Sequence, residues 1–360
     1  MEVNILSNSY LLWTIFGLFV GLAMAFDLGI MGKASAFIKK ERKSTVHSNS
    51  LSNNNTEPSL ALHPSKPQSE QLFNQALIWT VVWISLAAIF AGVIFIGMGY
   101  DKMLEFVTGY TLEKSLSVDN MFVFLLIFSS LAIPHAYQHK VLSVGIISAI
   151  AMRIPLIVVG VSLLESFHWM IYIFGGMLLL TAIRMLLQKK EKKIELEKNI
   201  AVRLLRKLMP IDLQVKGDKF FTRKNAVLFA TPMLVALVIV EVTDLVFAID
   251  SIPAVLAITG DPFIVITSNV FAILGLRSLY FLLAGLMEKF YYLKPGLIAL
   301  LLFIGIKMVV SDFYKVPIGV SLAVIFGILG TAMMLSFIRV RRVDGKEVNN
   351  ITRGREPMKE

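Results

Sequence analysis

Six carboxylates of this 360-residue chain stand within or close to long apolar runs: Asp27, Glu113, Asp119, Glu241, Asp244 and Asp250. A charge at the centre of a bilayer costs about 2.5–3.5 kcal/mol even on the mildest scale. Six of them left bare in lipid would outweigh a typical folding margin of about 5–15 kcal/mol. They must face the interior of a helix bundle and meet protons, cations or arginine there. Helical spacing then sorts them. Glu113, Ser117 and Asn120 share one helix face, and so do Glu241, Asp244, Ala248 and Ser251. Asp119 and Asp250 lie six residues beyond Glu113 and Asp244, which turns each about 240° away from its partner. A straight helix cannot aim both acids of such a pair at one point. Either the helices break locally, for which Pro253 and the Ser115/Ser117 cluster give room, or the acids serve two sites.

Carboxylates joined by Asn and Ser oxygens form a hard ligand set that suits Mg²⁺, Ca²⁺ and Mn²⁺. The candidate ligands are Asp119, Asn120, Asp244, Asp250 and Ser251, with Glu113 and Glu241 nearby and Asp27 more remote. The chain has no cysteine, and its five histidines lie in or beside loops. Thiolate zinc, soft copper, disulfides and cysteine nucleophiles are thereby excluded. Two other readings use the same acids. They can pair with Arg153, Arg277 and Lys114 to hold the fold, or they can relay protons without a metal. Several carboxylates against few internal basic residues favour an added cation.

The elements that must position these residues are membrane helices. Hydrophobic residues make up 56% and charged residues 17% of the chain, against about 45–50% and about 25% in soluble proteins. Nine segments are long and apolar enough to cross a bilayer, which needs about 20 residues: about 10–31, 77–98, 106–132, 142–164, 167–187, 226–256, 264–286, 293–311 and 317–337. With the N-terminus outside, the inner loops and tail hold 28 of the 35 Lys and Arg residues, and the outer loops hold only Lys102 and Lys315. The positive-inside rule therefore sets the N-terminus outside and the C-terminus in the cytoplasm. The net charge of +10 follows from this topology, and no nucleic-acid partner is needed. Met1 to Tyr10 contains no basic residue, so the first run is expected to be a retained helix rather than a cleaved signal.

The chain divides as follows. Residues 1–31 hold the first helix and 32–76 a largely disordered cytoplasmic linker, rich in Ser, Asn and Pro over 44–74. Residues 77–98 form the second helix. Residues 106–187 and 226–311 form two three-helix units, joined by a basic cytoplasmic loop at 188–225. Within that loop, 194–208 reads as a basic amphipathic helix on the inner leaflet. The last helix is 317–337 and a basic tail occupies 338–360.

The two three-helix units resemble one another. Glu113 to Asn120 parallels Asp244 to Ser251, each with an acid, five intervening residues, an Asp and a small polar residue. Arg153 corresponds to Arg277, and Phe167 and Arg184 correspond to Phe290 and Lys307, both pairs 123 residues apart. A repeat of three spans inverts its second copy, and inverted repeats are an architecture of secondary transporters with midplane sites. The fold class expected is all-α: a polytopic membrane protein of about nine transmembrane helices with two inverted three-helix repeats. No Walker motif is present, so ATP hydrolysis by this chain would not drive transport. The Gly-x-Gly-Asp motif of intramembrane aspartyl proteases is absent, since Thr259 precedes Gly260-Asp261. No enzyme activity is expected.

Four stretches carry a family resemblance: EKSLSVDNMFV from Glu113 to Val123, EVTDLVFAIDSIP from Glu241 to Pro253, DPFIVITSN from Asp261 to Asn269, and FAILGLRSLYF from Phe271 to Phe281. These motifs resemble the TerC family of bacterial integral membrane proteins, and within it the Alx-type branch of manganese exporters, over roughly residues 10–340. The resemblance implies export of Mn²⁺ from the cytoplasm across the bacterial plasma (inner) membrane, with the acidic motifs as the metal path. Mn²⁺ would be a transported substrate, with no cofactor bound permanently, and proton exchange at the carboxylates would drive it. The implied partners are a divalent metal ion and the lipid bilayer, with room for a homo-oligomer. The competing reading is a non-transporting scaffold or stress-complex subunit linked to tellurium resistance. A carboxylate site repels a tellurite oxyanion, and the soluble tails are small for a scaffold.

Overall fold

The structure is a computed structural model that describes residues 10–25, 66–167, 169–187, 200–214, 217–224, 227–284, 292–314 and 316–353. Eleven helices and one small hairpin are present among the described residues: α1 (Tyr10–Ala25), α2 (Lys66–Met98), α3 (Tyr100–Ser130), α4 (His135–Ser166), α5 (Met170–Leu187), α6 (Ile200–Leu208), β1 (Phe221–Lys224), β2 (Val227–Ala230), α7 (Pro232–Leu256), α8 (Pro262–Leu274), α9 (Leu276–Ala284), α10 (Leu293–Val310) and α11 (Ile318–Arg353). The molecule is an all-α polytopic membrane protein with one two-stranded addition.

Every expected span has helix over it, but not all helices meet the length and apolarity that crossing requires. Among the described residues five do: Phe73–Met98, Tyr137–Ser166, Met170–Leu187, Pro232–Leu256 and Ile318–Ser336. The pair α8 and α9 adds a sixth when counted as one span, bent by 43°. α3 is long enough, but its 31 residues include six charged ones, Asp101, Lys102, Glu105, Glu113, Lys114 and Asp119. α1 and the apolar part of α10 are shorter.

Four boundaries differ from the sequence expectation, each for a local reason. Residues 227–230 are β2 rather than the start of a span, and α7 begins only at Pro232. Thr231 is the N-cap, its hydroxyl donating to the Lys219 and Phe220 carbonyls, and Pro232 takes the first helical position, where a missing N–H costs nothing. The expected single span 264–286 bends at Gly275, between α8 and α9. α2 starts at Lys66, inside the expected linker, and α11 continues to Arg353, through the expected tail. The rest of the linker lies outside the described residues.

Packing puts Glu113 and Asp244 at the centre. α3 lies on α8, α4 lies on α7, and α5 lies on α10. Exchanging α3 with α7, α4 with α8 and α5 with α10 leaves this set of pairs unchanged. The α5–α10 contact is close enough to demand glycine. A Cβ on Gly175 would meet the Gly305 carbonyl at 3.2 Å and Val309 at 2.8 Å, and one on Gly305 would meet the Gly175 carbonyl at 3.1 Å. Small residues let membrane helices approach in this way. At one end of the bundle Phe16, Phe90, Phe106, Phe263 and Phe271 form an aromatic cluster, with Phe90 stacked on Phe271 at 4.7 Å. At the other end the hairpin and α6 cover a second core around Phe128, Met233 and Tyr280.

Candidate intramembrane ion site

Four helices bring polar side chains to one buried point, three of them charged. α4 carries Arg153, which is 2% exposed. Its Nε and Nη2 donate to the two oxygens of Asp244 on α7, at 3.0 and 2.7 Å. Its Nη1 donates to Glu113 Oε2 on α3 at 2.9 Å and lies 3.4 Å from Asn269 Oδ1 on α8. Asn269 Nδ2 in turn donates to Glu113 Oε1 at 2.5 Å. The fork of a guanidinium matches a carboxylate, so the Asp244 contact fixes both groups. All four side chains are buried. Two carboxylates face one guanidinium.

One turn before Asp244, Glu241 has a different environment. Ser148 of α4 donates to its Oε1 at 2.6 Å. Its Oε2 is buried and has no hydrogen-bond partner among the described residues. Glu241 and Asp244 line a cavity of about 20 Å³ together with Gly145, Ala149, Leu276 and Arg277. Such a space holds about one water or a stripped ion. Arg277 of α9 also donates to Ser143 at 3.2 Å.

The expected ligands are thus only partly brought together. Glu113, Ser117 and Asn120 are all buried, as are Asp244, Ala248 and Ser251, while Glu241, expected on the same face as Asp244, is half-buried. The Ser251 hydroxyl is buried without a hydrogen-bond partner among the described residues. Asp250 turns elsewhere: its Oδ1 accepts from Thr181 of α5 at 3.0 Å. α7 is one unbroken helix through Pro253, so of the two alternatives left by the spacing, the acids of α7 serve two places. Asp119 lies on α3, but its side chain is outside the described residues, and Asp27 lies outside them altogether. Among the described residues no three His, Asp or Glu side chains converge as a ready metal cage. Lys114 does not meet an acid among the described residues. Its Nζ donates to the Ala272 carbonyl at 3.1 Å, beside the bend at Gly275. Sequence reasoning missed Ser148, Thr181 and the amide role of Asn269. Only Asn269 left a signal, as a lone amide in an apolar helix.

Polar contacts shut the bundle at both ends of this site. At one end Lys102 lies 2.9 Å from Glu105 and 3.2 Å from Asp261, and Thr259 donates to Glu105 at 2.5 Å. Asp261 also caps α8, accepting from the Phe263 N–H at 3.0 Å. At the other end Tyr280 donates to Gln138 at 2.9 Å, and Gln138 donates to the Ile133 carbonyl at 2.8 Å.

Comparison with known proteins agrees with this architecture. The model of the "Integral membrane protein TerC family" matches residues 98–344, which include every element of the site. A protein of Myxococcus xanthus, "Uncharacterized membrane protein STKORF319", is 51% identical over 269 residues, 75% of this chain and 84% of its own length. Proteins named "Putative membrane-bound redox modulator Alx" are 44% identical in Photorhabdus laumondii, over 77% of this chain and 89% of the relative, and 46% identical in Escherichia coli K12, over 71% and 82%. No solved structure matches. With its motifs, its helices and these relatives in agreement, the chain belongs to the TerC family of integral membrane proteins.

Proposed function

We propose that this protein is a secondary transporter that exports Mn²⁺, and other hard divalent cations of similar size, from the cytoplasm through the bacterial inner membrane. It is not an enzyme. The observation that carries this reading is the bare Oε2 of Glu241, buried on a small cavity beside Asp244. A buried carboxylate oxygen without a donor is expensive unless a proton or a cation occupies it. The local charge supports the same reading. Among the described residues Glu113 and Asp244 set two carboxylates against the single guanidinium of Arg153, which favours an added cation.

In this reading Arg153 is a resident cation that holds Glu113 and Asp244 while no metal is present. A dication arriving at Glu241 recruits Asp244, and Arg153 gives up one of its acids. The absence of a formed three-acid cage among the described residues fits a state in which the guanidinium holds the ligands. The paired packing of α3–α5 with α7–α10 supports two inverted repeats rocking about the central acids. The relatives' name speaks of redox modulation, but this chain has no cysteine, so a thiol-based redox role has no residues to act through.

The test is Mn²⁺ flux into inverted vesicles or proteoliposomes carrying the wild-type chain and Glu241→Gln. Flux in the wild type and its loss in the variant is the expected result. Absence of flux in the wild type, with protein present and folded, would end the transport reading and leave a membrane scaffold.

A further inference from the structure

We propose that α6 is a docking surface for anionic phospholipid, seated on the same leaflet where α7 enters the membrane. α6 is nine residues long and divides into three sectors. Ala201, Val202 and Leu205 are buried in the core that also holds Ala230, Met233 and Ala236. Ile200, Leu204 and Leu208 form a second stripe, each turned about 40° from the one before, and they are 77%, 57% and 75% exposed. Arg203, Arg206 and Lys207 fill the remaining sector, exposed and without an ion-pair partner among the described residues.

A helix in water gains nothing from a bare Ile-Leu-Leu stripe beside an already buried face. A helix lying at the lipid boundary needs that division: one face toward protein, one toward acyl chains and one toward headgroups. The charge chooses the headgroup. Three adjacent cations favour an anionic lipid, each contributing about 1 kcal/mol near such a surface.

The depth of α6 follows from how it is tied down. Residues after it pair with β2: Ala230 N–H donates to the Pro210 carbonyl and Asp212 N–H donates to the Ala230 carbonyl, both at 2.9 Å. Only Thr231 separates the end of β2 from the start of α7, and α6 itself packs on α7. Lys224 of β1 hydrogen-bonds Asp212, and with the Gln214 N–H it holds that carboxyl below its usual range. The Asp212 carboxylate therefore stays ionised at neutral pH. α6 is thereby held beside the first turns of a membrane-spanning helix, where anionic headgroups can draw its exposed stripe into the bilayer. This surface is independent of the ion site and does not require transport.

The chain has no cysteine, so single cysteines can be spin-labelled uniquely in the full-length protein. Labels at Leu204→Cys, Leu208→Cys and Arg203→Cys are compared in nanodiscs of phosphatidylcholine with increasing phosphatidylglycerol. The expected result is high oxygen and low aqueous-nickel accessibility at positions 204 and 208, and the reverse at 203. Arg203→Gln and Lys207→Gln, each combined with Leu208→Cys, should each raise the phosphatidylglycerol midpoint for burial of that label by about fivefold. Two results overturn the proposal: nickel accessibility at 204 and 208 equal to that at 203 in every lipid mixture, or all three labels shielded from both reagents, which would mean that protein covers this face. Burial that ignores phosphatidylglycerol would overturn the anionic preference.

Discussion

Asp244 and Glu241 stand one turn apart on α7 and have opposite fates. Both oxygens of Asp244 are held by the Arg153 fork. Glu241 has one oxygen on Ser148 and the other bare on a cavity. The two acids have the same chemistry and nearly the same depth, so position on the helix does not decide their role. The facing helix does. α4 offers a guanidinium at Asp244 and only a hydroxyl at Glu241, five residues apart on the same membrane helix, Arg153 at one level and Ser148 with Gly145 at the other. A carboxylate with both oxygens satisfied is a strut; a carboxylate left with one oxygen open is available to a ligand.

The strongest way to break this comparison is to remove the fork. Arg153→Met leaves Glu113 and Asp244 buried without their cation, which should cost about 3–5 kcal/mol of stability. Thermal unfolding in detergent checks this. If Mn²⁺ restores much of the loss, the two acids are ligands as well as struts, because a metal then replaces the guanidinium; no rescue would confine them to the fold. The next effect is on flux rather than stability. Glu241→Gln keeps the Ser148 contact and removes the charge. It should abolish most Mn²⁺ transport while changing stability by less than about 1 kcal/mol, since an uncompensated buried charge is also relieved. A large loss of stability with normal transport would reverse the roles assigned to Glu241 and Asp244. Ser148→Ala sharpens the same contrast. It deletes one hydrogen bond to an acid, worth about 1.5–3 kcal/mol, and frees the second oxygen of Glu241. Mn²⁺ binding by calorimetry should then be weakened no more than a few-fold, far less than in Glu241→Gln.

Much of this arrangement was legible in the sequence, and the remainder was lost for identifiable reasons. The shared faces of Glu113, Ser117 and Asn120, and of Asp244, Ala248 and Ser251, follow from helical period alone and are all buried. Apolar length found helix over every expected span. The divergence of Asp250 from Asp244 was implied by a six-residue spacing, and Thr181 is where it leads. Pairing of the membrane acids with Arg153 was one of the readings the sequence offered, but which acids pair was not, because pairing across 40 and 91 residues depends on which helices pack, not on local pattern. The β2 strand was hidden because Val227 to Ala230 is as apolar as the helix it precedes, and only Thr231-Pro232 marked the start of α7. The bend at Gly275 was hidden for the opposite reason: glycine is common in membrane helices, and its meaning here comes from Lys114, whose Nζ would lie 2.5 Å from a Cβ at that position.

The smallest effect belongs to the charges farthest from the pair on α7. Lys102, on α3, bridges Glu105 of its own helix and Asp261 in the turn between α7 and α8. The Lys102 side chain is 32% exposed, so solvent screens both contacts, and exposed pairs are worth about 0.2–1 kcal/mol. Lys102→Met should therefore lower stability by no more than about 1 kcal/mol and leave Mn²⁺ binding at the Glu241 cavity unchanged. It removes, however, the only described cation joining α3 to the α7–α8 turn at this end. If the two halves of the bundle separate there during transport, weakening the link should raise flux slightly and make it less sensitive to salt, since salt already screens that link in the wild type. Flux in proteoliposomes at low and high ionic strength measures both. A variant with wild-type flux and wild-type salt response would show that this ion pair is a surface contact with no part in opening. A loss of Mn²⁺ binding would be more consequential. It would mean that the closed end and the cavity are coupled, and that the contrast between Asp244 and Glu241 is not set by their immediate neighbours alone.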